Sequence, residues 1–96
     1  MFLLNVSYIK APSQIEPHIK AHGEWVTRYL TEGIFLFAGP KKSRLGGAIA
    51  VKNIEKKKLM TIRSEYSYVP SDVAECQIVD FDCKIAQSAL ASLMQI

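Results

Sequence analysis

Residues 2–9 alternate in hydrophobicity. Phe2, Leu4, Val6 and Tyr8 share one face, and Leu3, Asn5, Ser7 and Ile9 share the other, the period-two signature of a strand. The first face is wholly apolar and is expected to pack on helices. The second carries Asn5 and Ser7, so it is either solvated or lines something wet. Ala11-Pro12-Ser13 breaks the strand. Ser13 and Glu16 have the spacing of a capping box, and Pro17 falls in or near the first helical turn, where its missing N–H costs least. Ile15, Ile19, His22, Val26 and Tyr29 or Leu30 then recur at intervals of three and four, a helical stripe. Glu32-Gly33 ends it, with Gly33 placed just past the cap.

Ile34–Ala38 is a short apolar run before Gly39-Pro40 and predicts a buried strand. Lys41–Arg44 is a basic loop, and Leu45–Val51 predicts a third strand hairpinned to the second. The adjacent Gly46 and Gly47 suggest a bulge or a close backbone approach. Asn53 is placed to cap a helix over 54–64, and residues 66–72, with Pro70, form a loop. Val73–Phe81 predicts a fourth strand, and the pattern over 84–96 predicts a C-terminal helix. The order βαββαβ plus a final helix is the split βαβ, ferredoxin-like arrangement of the α+β class: one domain over residues 1–96, with a four-stranded antiparallel sheet and both main helices on one face. The other sheet face is then bare, and a homodimer stacked face to face would cover it.

The 96 residues suffice for one core without metal or disulfide staples. With 49% hydrophobic and 22% charged residues the composition is globular. No apolar run approaches the ~20 residues of a membrane span, and no basic segment precedes Phe2 as in a secretory signal, so the expectation is a cytoplasmic protein without a membrane partner. Cys76 and Cys83 lack metal-ligand spacing and are read as reduced thiols. The net charge of +3 comes from uneven clusters, Lys41, Lys42 and Arg44 and then Lys52 and Lys56–Lys58. These suit phosphate contact or plain solvated surfaces. No aromatics interleave with them as in single-strand binders, and no nucleic-acid partner is expected.

His22 on the first helical stripe titrates near neutral pH and is the candidate general acid or base; the alternative is a hydrogen-bonded core histidine. His18 and His22 share a helix face at i and i+4, but the HExxH pattern is absent and neither metal nor cofactor is expected. Trp25 could wall a pocket for an aromatic ligand or serve as a rim or dimer-contact aromatic. Ser43 and Arg44 could hold an anionic substrate, the guanidinium offering a planar fork, or belong to an exposed hairpin loop. There is no GxSxG, P-loop or dinucleotide fingerprint.

Four segments, MFLLNVSYIK, AHGEWV, GIFLFAGP and VAECQIVDF, give the chain a resemblance to the YciI-like (YCII-related) proteins, small ferredoxin-like domains that dimerise into an α/β barrel. The ordered set, with a helical His followed about sixteen residues later by an apolar strand ending in Gly-Pro, spans residues 1–81. The resemblance implies kinship with small dimeric enzymes acting on aromatic or lactone metabolites, in which a helical His paired with an Asp is the proposed catalytic element. His22 matches the His. The family's Asp-Pro is absent: Tyr66, Ser67 and Tyr68 stand at the corresponding positions, and Glu65, one residue earlier, is the candidate carboxylate. Tyr66 would flank the same pocket. The implied activity is cofactor-independent acid/base chemistry, lyase- or isomerase-like, on a small anionic or aromatic metabolite. The alternative is a non-catalytic small-molecule-binding or structural homodimer.

Overall fold

The computed structural model describes residues 1–65 and 72–94. Strand β1 runs Phe2–Tyr8 and is followed by the short helix α1, Pro12–Ile15, a 3-10 turn at Glu16–His18, and helix α2, Ile19–Thr31. Strands β2, Phe35–Pro40, and β3, Gly46–Val51, form a hairpin. Helix α3, Lys56–Ser64, and strand β4, Ala74–Asp80, complete the sheet, and a 3-10 segment occupies Ser88–Met94. The sheet order is β2-β3-β1-β4, and every neighbouring pair is antiparallel. This is the ferredoxin-like α+β arrangement that the alternation of strands and helices predicts.

The departures have local causes. Pro17 cannot donate the helical hydrogen bond and its ring crowds the preceding turn. The expected single helix is therefore cut into α1, the 3-10 turn and α2. Ala11, not Ser13, occupies the cap position of α1, without a side-chain cap bond. Glu55, not Asn53, precedes the first turn of α3. Strand β2 continues through Gly39-Pro40; as an edge strand it tolerates a proline that cannot donate to the ladder. Among the described residues the expected C-terminal helix is the 3-10 segment Ser88–Met94 and not an α-helix: the chain after β4 runs without regular structure to it, and Ile85 of the expected stripe is 93% exposed.

The sheet's cross-strand rows explain where the core lies. On the helix-covered face the first row is Phe35, Val51, Phe2 and, at its exposed edge, Asp80, the second Ala38, Ile49, Leu4 and Ile78, and the third Pro40, Gly47, Val6 and Cys76. A register shift between Phe35 and Phe37 turns Phe37 to the opposite face. Trp25 and Tyr29 of α2 and Leu59 and Ile62 of α3 close over the bulky end. Trp25 meets Phe35 edge-on at 5.0 Å. Each large side chain so buried contributes about 1.5–3 kcal/mol. Toward the third row the sheet's side chains shrink, so the layer between sheet and α2 is no longer filled.

Gly46 fixes the hairpin to β1. It has φ +151°, and a Cβ there would stand 1.9 Å from the Val6 carbonyl oxygen, so only glycine fits. The sheet face opposite the helices grades from apolar to polar. Phe37, Ala50, Leu3 and Val79 form one row; Phe37 is 59% and Val79 51% exposed. The next row ends in Asn5 and Gln77, whose amides hydrogen-bond at 3.1 Å. Beyond it, Lys41 Nζ donates to Ser7 Oγ at 2.9 Å.

Candidate functional site

The thin end of the core is a cavity of about 390 Å³ between α2 and the sheet, within the range of small-molecule sites. Its roof is the strip Ile19, His22, Gly23, Val26 and Thr27, successive positions at helical spacing on α2. Ala38 and Pro40 of β2, Gly47 of β3 and Val6 of β1 form the floor. The helical stripe read from the sequence therefore divides. Trp25 and Tyr29 point into the core, while Ile19, His22 and Val26 face the cavity, and Ile19 is 55% exposed there. Gly23 lies mid-helix, and a Cβ at that position would meet nothing within 4 Å.

His22 is half-buried in this roof. Loss of solvation lowers its pKa from 6.5 to about 4, because burial penalises the charged ring. At pH 7 the imidazole is neutral, and the same desolvation makes it a weaker base than a solvated histidine. Its ring lies 5.9 Å from that of Trp25. Trp25 itself is buried in the core and donates its indole N–H to the Ile62 carbonyl at 3.1 Å, tying α2 to α3. Trp25 thus stands beside His22 without being among the residues that line the cavity.

Glu65 is engaged elsewhere. Its carboxylate accepts a hydrogen bond from Tyr29 Oη and faces Arg28 at 3.6 Å. Burial, reinforced by the Glu65 hydrogen bond and charge, pushes the Tyr29 phenol up to about 12. Tyr29 lies seven residues beyond His22, about 10 Å along a helix. The dyad expected from the sequence is therefore not assembled by Glu65, and among the described residues the cavity lining holds no carboxylate. Ser43 is exposed, and its hydroxyl accepts a hydrogen bond from the Leu45 amide at 3.2 Å, a loop-shaping role. Arg44 lines a second, smaller cavity together with Lys10 and Leu45. Tyr66 lies outside the described residues.

Cys76 is half-buried, and burial raises its thiol pKa against the opposing pull of Arg63, which makes it a poor nucleophile at neutral pH. Both cysteines are free. Among the described residues no group of three His, Cys, Asp or Glu is placed to hold a metal, and no helix is long and apolar enough to cross a membrane. Sequence reasoning missed Gly23, Ala38 and Gly47, the small residues that make the cavity. The signals available were a glycine within a helical stripe and a glycine pair opening a strand.

No protein-family profile matches the chain, and no curated protein matches it. Among solved structures the chain resembles 5-chloro-2-hydroxyhydroquinone dehydrochlorinase from Burkholderia phenoliruptrix AC1100, determined in complex with 2,5-dihydroxybenzoquinone. The TM-score is 0.67 at 10% sequence identity, over 85% of this chain and 94% of the other. At that identity the shared property is the fold.

Proposed function

We propose that this chain is a YciI-like protein acting as a small, cofactor-independent enzyme of lyase or isomerase type. His22 moves a proton on a small anionic or aromatic metabolite bound in the 390 Å³ cavity. The observation that carries this reading is the placement of a desolvated, neutral imidazole in the roof of a cavity otherwise lined largely by apolar groups. Such a ring is neutral at pH 7 but a weak base, and an anionic ligand beside it would draw its pKa back upward toward the range useful for proton transfer. The fold shared with a dehydrochlorinase is consistent with chemistry of this kind. Two copies pair through the sheet face opposite the helices, where the row of Phe37, Leu3 and Val79 supplies exposed apolar surface.

The second reading, a binding or structural homodimer without catalysis, is favoured by one observation: Glu65 pairs with Tyr29 and Arg28 instead of His22. The two readings separate in one experiment. The protein is assayed against a panel of hydroxylated aromatics and lactones, and His22→Ala is compared with the parent on any compound turned over. The catalytic reading expects turnover abolished, with circular dichroism and size-exclusion profile unchanged. Equal turnover by the variant, or binding without turnover across the panel, decides for the second.

A further inference from the structure

The second cavity, about 240 Å³, adjoins the first. Tyr8 and Ile19 belong to both. Ile15 and Leu45 extend its apolar wall, and Lys10 and Arg44 bring two cations to it. The cations come from separate elements, Lys10 from the segment after β1 and Arg44 from the β2–β3 turn. Among the described residues neither has a carboxylate at ion-pair distance, since both described bridges belong to Arg28. The Arg44 backbone is left-handed, with φ 65°. It is held there by its own N–H, which donates to the Lys41 carbonyl at 2.9 Å. The Tyr8 N–H, donating to Leu45 at 2.9 Å, ties the loop to β1. Glycine adopts that conformation without strain. An arginine there is a bulky residue in a costly backbone region, the kind of strain found where a side chain serves a site.

We infer that the second cavity takes the carboxylate end of the substrate. Arg44 and Lys10 hold the anion, and an aryl or short aliphatic body reaches past Tyr8 and Ile19 toward His22. This rests on reading the larger cavity as the reaction site. It narrows the substrate class to small carboxylic acids with an apolar stem. The guanidinium fork matches a carboxylate in plane, and the ammonium adds a second point charge. A volume of 240 Å³ suits the tail of such a molecule and leaves the larger cavity for its reacting end.

The test uses 3-phenylpropanoate and its uncharged amide, 3-phenylpropanamide, titrated into the nitrogen-15-labelled full chain at pH 7. The acid is expected to perturb the backbone amides of Tyr8, Ile19 and Leu45 and to bind about tenfold more tightly than the amide. Added salt should narrow that difference. Arg44→Gly fits the left-handed backbone, so the variant keeps its fold; combined with Lys10→Gln it should abolish the acid's advantage. His22→Ala should retain the advantage, so failure of the catalytic reading would appear in the turnover assay and not here. Equal affinity for acid and amide overturns the assignment. So does an advantage that survives in the double variant, or a lack of perturbation at those three amides by the acid at millimolar concentration.

Discussion

Gly23 offers the sharpest test of the cavity, because stability and binding should move in opposite directions. It sits inside α2, Ile19–Thr31, where glycine is about 1 kcal/mol less favourable than alanine. Its φ is not in the left-handed region, and a Cβ there would meet nothing within 4 Å. Gly23→Ala should therefore raise the unfolding free energy by roughly 0.5–1 kcal/mol, part of it through lost freedom of the unfolded chain. For a domain of this size that corresponds to an increase of about 2–8 °C in Tm. The same methyl enters the roof beside His22 and should weaken any ligand seated there. Gly23→Leu should block the cavity while leaving the core at Trp25 and Phe35 intact. Urea and thermal melts at one fixed protomer concentration measure the first effect. Titration with the ligand of the parent protein measures the second. A loss of more than about 0.5 kcal/mol in Gly23→Ala would refute the reasoning, since it would mean that packed atoms occupy the space described as open.

Other predictions follow from single contacts. His22 has a folded-state pKa of about 4 against 6.5 when unfolded. Its contribution to stability is thus intact above pH 6.5 and is lost as the pH falls toward 4. The shift corresponds to about 3 kcal/mol for a fully desolvated ring, and solvent reaching this half-buried one reduces that to roughly 1–2 kcal/mol; urea melts across this window should show a loss that His22→Gln removes. Gly46→Ala forces a Cβ onto the Val6 carbonyl and should cost about 2–4 kcal/mol, read from chemical denaturation. Phe37→Glu places a charge in the exposed apolar row; if two copies pair through that face as proposed, analytical ultracentrifugation should show the variant shifted toward monomer relative to the parent, and an unchanged sedimentation profile would remove that face as the interface.

The topology was legible because it rests on periodicity. The alternation over 2–9, the stripe over 15–30 and the glycine-bounded apolar runs each specify an element, and their order leaves few ways to connect them. Boundaries failed where a single residue overrode the pattern. Pro17 split a helix that the apolar spacing treats as continuous, and the helical spacing read after β4 gave, among the described residues, only the 3-10 segment Ser88–Met94. Of the candidate site, half was legible as residue types in place. His22 stands out as a helical histidine, and Arg44 as an arginine in a turn. The roles of Trp25 and Glu65 depend on which side of α2 faces the core, and a stripe wide enough to serve both core and cavity does not reveal that. The cavity itself is made by absent side chains, which hydrophobic patterning does not count.

The tapering rows of the sheet separate two burdens that small proteins usually carry on the same residues. Stability is concentrated at the Phe35–Val51–Phe2 end, where loss of a large side chain leaves a void costing several kcal/mol. At the Pro40–Gly47–Val6 end a substitution on the cavity wall opens or fills space that is already empty. Apart from Gly47, whose Cβ would press on Gly39 at 3.1 Å, and Val6 and Ile49, which also belong to the buried core, the lining can change with little penalty to folding. Chains sharing this scaffold could therefore drift widely in ligand preference while the framework stays put. A backbone course can then be shared where the amino-acid sequence is not, as it is with the dehydrochlorinase at 10% identity.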